Sequence, residues 1–231
     1  MNAMIIAANE EERELLSWVV RQTGLTINRG SEIEQIQKSL YEKPVDIIVY
    51  AVQYLEKTAE AIKNIRYASQ APIIVIADWA SEAEHCDLLD AGGDLVIKRP
   101  FSHRVLTRYV QVFLRRTSSV PVTVLPDIDF DGITLIPSSR ILKVAGKSPQ
   151  HLTLLEFRLL YMLMTNENQV IPTEVIVDRV WGYDGAANKE LVRGLVRRLR
   201  VKVEPNPKAP QYIHNVPGVG YQFTHDGEHP S

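Results

Sequence analysis

The sequence predicts a doubly wound, five-stranded parallel α/β domain (flavodoxin-like) followed by a winged helix-turn-helix domain. Three observations carry that expectation. In the first half, short apolar runs alternate five times with amphipathic stretches. In the second, three helical patterns precede a hairpin pattern. The third of those helices also gathers positive charge on one face.

Composition sets the outer limits. A chain of 231 residues, 45% hydrophobic and 23% charged, is a globular chain of one large or two small domains. No apolar run approaches the roughly 18 residues that a spanning helix needs, so no membrane association is expected. Met1-Asn2-Ala3-Met4 leads directly into a strand-like run without a basic stretch or cleavage site, and a cytoplasmic protein is expected. The single cysteine, Cys86, allows no intrachain disulfide and anchors no metal cluster.

The apolar runs of the first half are Met4–Ala8, Leu25–Ile27, Ile47–Ala51, Ile73–Ala77 and Leu95–Ile97. The third and fourth lack polar alternation, as strands buried on both faces do. Helical patterns follow at Glu10–Gln22, Ser31–Glu42, Thr58–Ser69, Ser81–Ala91 and Ser102–Arg115. Ser31 with Glu34, and Ser81 with Glu84, have capping-box spacing. Strand–helix alternation of this kind gives a parallel sheet whose ligands sit at the carboxyl ends of the strands.

The predicted boundaries are 1–117 for this domain, 118–124 for a polar linker, 125–226 for the second domain and 227–231 for a polar tail. In the second domain, strands are expected at Val122–Leu125, Ile133–Ile136 and Ile141–Val144, separated by turn residues. Helices follow at Leu155–Met164, after the cap Thr153, at Thr173–Val180, and at Asn188–Val203. Tyr212–Val216, Pro217–Gly220 and Tyr221–Phe223 read as a closing hairpin.

Charge points to the third helix. The chain totals 26 basic and 28 acidic residues, yet Lys189 to Lys202 holds six basic residues and one acid, Glu190. On a helical wheel, Leu191, Val192, Leu195, Val196, Leu199 and Val203 share one side. Lys189, Arg193, Arg197 and Arg200 share the other. A solvated surface is the usual meaning of such a face. Its place as the last helix before a hairpin favours contact with a polyanion.

These residues resemble a family. Thr153-Leu154-Leu155-Glu156-Phe157-Arg158-Leu159-Leu160 resembles the first DNA-binding-domain helix of OmpR/PhoB-type response regulators, and Val180-Trp181-Gly182-Tyr183 the end of the second. Val196-Arg197-Arg198-Leu199-Arg200 with Lys202 resembles their recognition helix, and Val216-Pro217-Gly218-Val219-Gly220-Tyr221 their wing. The resemblance implies a transcription regulator bound to double-stranded promoter DNA at direct-repeat half-sites, with RNA polymerase as a further partner. It implies DNA contacts at Trp181, Asn188, Lys189, Arg193, Arg197, Arg198, Arg200, Asn215 and Tyr221. Pro217 stands where many relatives have Arg, which shifts base readout toward the recognition helix.

The first half resembles that family's receiver domain, but without its chemistry. The Mg²⁺-binding acids, the phosphoacceptor Asp, the hydroxyl residue and the Lys correspond here to Ala8 and Asn9, Ala51, Ala77 and Arg99. Methyl groups offer Mg²⁺ no hard oxygen, and alanine has no oxygen to accept a phosphoryl group. Arg99 is expected to pair with a nearby acid or stay solvated, and Asp78 reads as a loop acid. The receiver is therefore read as a phosphorylation-independent dimerisation and interaction module. The alternative is a pocket at Ala8, Ala51 and Ala77 that senses a small molecule or a protein partner. No nucleophile–base constellation, metal-ligand spacing or phosphate loop is visible, so neither an enzyme nor a cofactor is expected. In the family the dimer face spans the fourth helix, fifth strand and fifth helix. Here that implies Glu84, Asp87 and Asp90 facing Arg104, Arg108 and Arg115, with Val105, Tyr109 and Val112 adding apolar contact.

Overall fold

The computed structural model describes residues 1–30, 40, 45–52, 57–78, 81–115, 125–130, 132–182 and 189–225. The chain divides into two compact units, Met1–Ser118 and Ser119–Ser231. The expected linker and tail, and the helix at Ser31–Glu42 with its capping box (apart from Leu40), lie outside the described residues.

The first unit is a five-stranded parallel sheet. Its strands are β1 (Asn2–Ala7), β2 (Thr26–Gly30), β3 (Ile47–Ala51), β4 (Ile73–Ala77) and β5 (Leu95–Lys98), in the order β2-β1-β3-β4-β5. Interior strand β4 is buried at every position, whereas edge strand β2 has no buried residue, which is why its sequence lacks a long apolar run. Helices α1 (Glu10–Arg21), α2 (Thr58–Ala68), α3 (Glu82–Asp90) and α4 (His103–Arg115) connect or follow the strands. Right-handed crossovers in this strand order place α1 opposite α2 and α3 across the sheet. In agreement, α1 packs with α4 and α2 packs with α3. Leu106, Val110, Phe113 and Leu114 form the buried stripe of α4. The box at Ser81 forms: Glu84 N–H donates to the serine hydroxyl and Ser81 N–H to the Glu84 carboxylate.

The strand order brings the carboxyl ends of β1 and β3 together, with Ala7 opposite Ala51. A buried clamp holds the opposite end of the sheet. Asp94, almost wholly buried, pairs with Arg66 at 2.6 Å and accepts Ile73 N–H, while Arg66 also donates to the Gly92 and Ala71 carbonyls.

The second unit opens with a four-stranded antiparallel sheet of β6 (Ile128–Phe130), β7 (Ile133–Ile136), β8 (Ile141–Val144) and β9 (Gln150–His151). Among the described residues the first strand of this sheet is Ile128–Phe130, not the predicted Val122–Leu125. Leu125 lies outside any strand and 122–124 fall outside the described residues. The pairing partner of β7 is instead Ile128–Phe130, whose single acid, Asp129, bonds to Thr134 across the hairpin. Helices α5 (Leu154–Thr165), α6 (Thr173–Trp181) and α7 (Lys189–Val203) pack against one another. The closing hairpin β11 (Ile213–Val216) and β12 (Gly220–Phe223) gains a third strand, β10 (Ile171–Pro172), which runs directly into α6. Two residues are too short for periodicity to reveal.

Candidate nucleic-acid interface

Helix α7 is amphipathic as its sequence requires. Leu191, Val192, Leu195, Val196, Leu199 and Val203 are buried, and Lys189, Arg193 and Arg197 are exposed. Both ends of the segment that follows are fastened. Lys147 donates its ammonium to the carbonyls of Val201, Lys202 and Glu204 at the carboxyl end of the helix, where the dipole favours a cation. The Glu204 carboxylate is fully buried and accepts the N–H groups of Gln211, Tyr212 and Ile213. A buried carboxylate is tolerated where several donors satisfy it, and this one fixes where the hairpin leaves the helix.

Helix and hairpin together form a groove lined by Lys189, Arg193 and Arg200 from α7, and by Asn215, Tyr221 and the Val216–Gly220 turn from the wing. Thr173 and Glu174 at the start of α6 complete it. The sequence places Thr173 only at the start of a helix. The residue faces the groove because Thr173 N–H donates to Val219 O at 3.0 Å, tying the head of α6 to the wing. Burial raises the Tyr221 pKa and Glu190 adds to the effect, while Arg200 and Arg193 oppose it. The phenol therefore stays protonated as a hydrogen-bond donor.

Three expected DNA contacts, Trp181, Arg198 and Arg200, change role, and Lys202 of the same helix joins the scaffold. Trp181 is only 2% exposed. It is core, because an indole at the end of an amphipathic helix contributes more packed inward than in water. Arg198 and Lys202 turn toward α5: Lys202 pairs with the buried Glu156 at 2.7 Å, and Arg198 lies close enough to lower that carboxyl's pKa. Arg200 reaches the groove, but donates through Nε and Nη2 to the Ile213 carbonyl, at 3.2 and 2.7 Å, so it braces the wing. The concentration of charge was legible, but its division between DNA face and scaffold was not. Asn188 lies outside the described residues.

At the carboxyl edge of the first sheet, Ala51 and Ala77 are buried strand ends, whereas Ala8 and Asn9 are exposed. The Asn9 side-chain oxygen caps α1 by accepting Glu12 N–H at 2.9 Å. Arg99 finds an acid in Glu12, with Nε and Nη2 contacts of 2.8 and 3.0 Å, and a second at 3.5 Å in Asp78. Asp78 thus belongs to the Arg99 cluster rather than to a bare loop. Glu10 pairs with Arg13, which also donates to the Ala7 carbonyl at the end of β1.

The expected dimer face is partly available within this unit. Arg104, Val105, Arg108 and Asp87 are exposed, and Glu84, Asp90, Tyr109 and Val112 are half-buried. Arg115 ends α4.

Residues 147–223 match the family model "Transcriptional regulatory protein, C terminal". The chain is 30% identical over 229 residues to the KDP operon transcriptional regulatory protein KdpE of Escherichia coli strain K12, covering 96% of this chain and 98% of that protein. Two solved structures of RitR mutants share the fold. One has a TM-score of 0.77 at 17% identity and the other 0.74 at 18%. Alignment covers 96% of this chain in both, with 98% of the first and 99% of the second. Among the described residues, no helix is long and apolar enough to cross a membrane.

Proposed function

The chain belongs to the OmpR/PhoB-type DNA-binding response regulators, and from that premise we propose a regulator that binds promoter DNA independently of phosphorylation, its receiver serving as a pairing module. The groove between α7 and the wing carries the proposal. Lys189, Arg193 and Arg197 present exposed cations on one helix face, and Asn215 and Tyr221 offer polar groups from the strand beside it. Cations of this kind hold phosphates, while guanidinium forks and amides reach base edges in a major groove. Direct-repeat half-sites and RNA polymerase are the further partners of this reading.

The carboxyl edge of the first sheet supports the phosphorylation-independent part. Ala51 supplies no acceptor oxygen, Asn9 is engaged as a helix cap, and Arg99 is neutralised within the chain by Glu12. Hard-oxygen coordination of Mg²⁺ needs a carboxylate set that these residues do not provide.

Fluorescence anisotropy with the full chain tests the proposal. Binding to duplex DNA should fall steeply with salt and be the same with and without acetyl phosphate and Mg²⁺. Binding that appears only after phosphoryl-donor treatment overturns phosphorylation-independence; no binding under either condition overturns the DNA reading.

A further inference from the structure

We infer that Glu190 determines sequence specificity by positioning Arg193 to read a base edge rather than to clamp a phosphate. The inference rests on the DNA-binding reading above and assigns a division of labour within that same groove.

Glu190 is the one acid in the basic segment from Lys189 to Lys202. A carboxylate there repels the phosphates that its neighbours attract, so it weakens binding unless it does something else. Stabilising the amino end of α7 through the helix dipole is the ordinary explanation. That role requires no partner, yet this side chain, only 18% exposed, is engaged with Arg193, which is 64% exposed. Arg193 Nη1 donates to Glu190 Oε1 at 2.8 Å across one helical turn.

The contact has two consequences. A guanidinium carries five N–H donors in a rigid fork, so the donors beyond the one held by Glu190 can project into the groove. A long side chain already held in place also loses less rotamer freedom on binding. Neutralisation by Glu190 takes away much of what Arg193 would gain from a phosphate. It leaves intact the two-pronged geometry that matches guanine O6 and N7. Arg200, pinned to the Ile213 carbonyl, fixes the floor of the same groove, and Tyr221 lies within electrostatic reach of Arg193, Arg200 and Glu190.

The test is selection from a randomised duplex library with full-length wild type, Glu190→Gln, Arg193→Ala and Arg193→Lys, with affinity for an unselected random-sequence duplex measured in parallel. Arg193→Ala and Arg193→Lys should lose preference at one base pair per half-site. Glu190→Gln should lose about tenfold preference at that same base pair, while its affinity for the random duplex holds or rises. Retained random-duplex affinity also shows that the variant is folded. An equal shift on every sequence would mean that Glu190 acts through charge alone and overturns the inference. Lost preference at a different base pair would mean that the carboxylate itself reads a base, and lower random-duplex affinity would mean a scaffold role; either overturns it as well. A wild type that binds the random duplex but enriches no sequence overturns this inference alone, and one that binds no duplex overturns the DNA reading and this inference with it.

Discussion

Lys202 lies near the carboxyl end of the basic helix, yet its ammonium is committed to Glu156, the buried capping glutamate of α5, at 2.7 Å. Burial alone raises the Glu156 pKa. The charge and hydrogen bond of Lys202, the charge of Arg198 and the Thr153 N–H reverse that, and the carboxyl titrates below its ordinary 4.5. A depressed folded-state pKa contributes stability that is present above the ordinary value and lost as pH falls through the folded one. Removing one partner of such a pair leaves a buried charge uncompensated. Lys202→Met should therefore lower stability at neutral pH by about 3 kcal/mol, while the salt dependence of DNA binding stays as in wild type. Chemical denaturation and a salt titration check the two halves of this prediction.

Neighbouring arginines on α7 should separate in the same way. Arg197 is exposed on the helix face it shares with Lys189 and Arg193, and Arg198 lies close enough to Glu156 to lower its pKa. Arg197→Ala should reduce the salt slope by about one unit with little change in melting temperature. Arg198→Ala should lower the melting temperature and leave the slope unchanged. Identical slopes for Arg197→Ala and wild type would move the DNA-facing side of the helix elsewhere.

Gly220 is required by packing. A Cβ at this position would lie 1.9 Å from the Ile171 carbonyl oxygen, a backbone atom that cannot swing aside. The close approach lets β12 pair with β10 and so joins the wing to the start of α6. Gly220→Ala should destabilise the protein by about 3 kcal/mol, at the upper end of overpacking costs, as thermal melts would show. Gly218, with open space around it, has φ +76°. Ala there should cost only about 1 kcal/mol, from backbone strain alone.

Acetyl phosphate with Mg²⁺ should leave the intact mass unchanged, because Ala51 has no carboxylate to phosphorylate. Ala51→Asp alone should stay unmodified too. The new carboxylate would still lack the metal-binding acids, since Ala8 has no oxygen and Asn9 caps α1. A stoichiometric acid-labile phosphate on the unmodified chain contradicts this reading.

Much of this was legible in the sequence, for identifiable reasons. Strands β3 and β4 announce themselves because burial on both faces leaves no room for polar alternation. The apolar side of α7 follows from its 3.6-residue period. What stayed hidden depends on contacts between residues distant in the chain. Periodicity assigns Lys202 to a basic helix but cannot place Glu156, 46 residues earlier, against it. It offers no hint that Glu12, 87 residues before Arg99, supplies the acid that neutralises it. Trp181 shows the same limit, since a helix-end indole reads alike from sequence whether it faces DNA or the core.

Pairing through the receiver is the remaining expectation, and the surface of α4 sharpens it. Leu106, Val110, Phe113 and Leu114 pack inward, so they are unavailable to a partner. Val105 remains 44% exposed, and Tyr109 and Val112, four and seven residues on, are half-buried along the same stripe. Exposed Arg104 and Arg108 sit on this helix, and Glu82, Asp87 and the half-buried Asp90 sit on α3. A two-fold axis brings each patch against its own reversed copy, so acids of one subunit meet bases of the other. Ion pairs at such a surface contribute only about 0–1 kcal/mol each, which leaves the apolar stripe to supply most of the affinity. Val105→Glu should therefore weaken a dimer far more than Arg108→Ala does. Sedimentation of the full chain without DNA, at micromolar concentration and with no phosphoryl donor, should show the dimer in the wild type, with Val105→Glu shifted to monomer. A wild type that sediments only as monomer and pairs only when a two-half-site duplex is added would transfer the pairing energy to the DNA. The receiver face would then have no constitutive role.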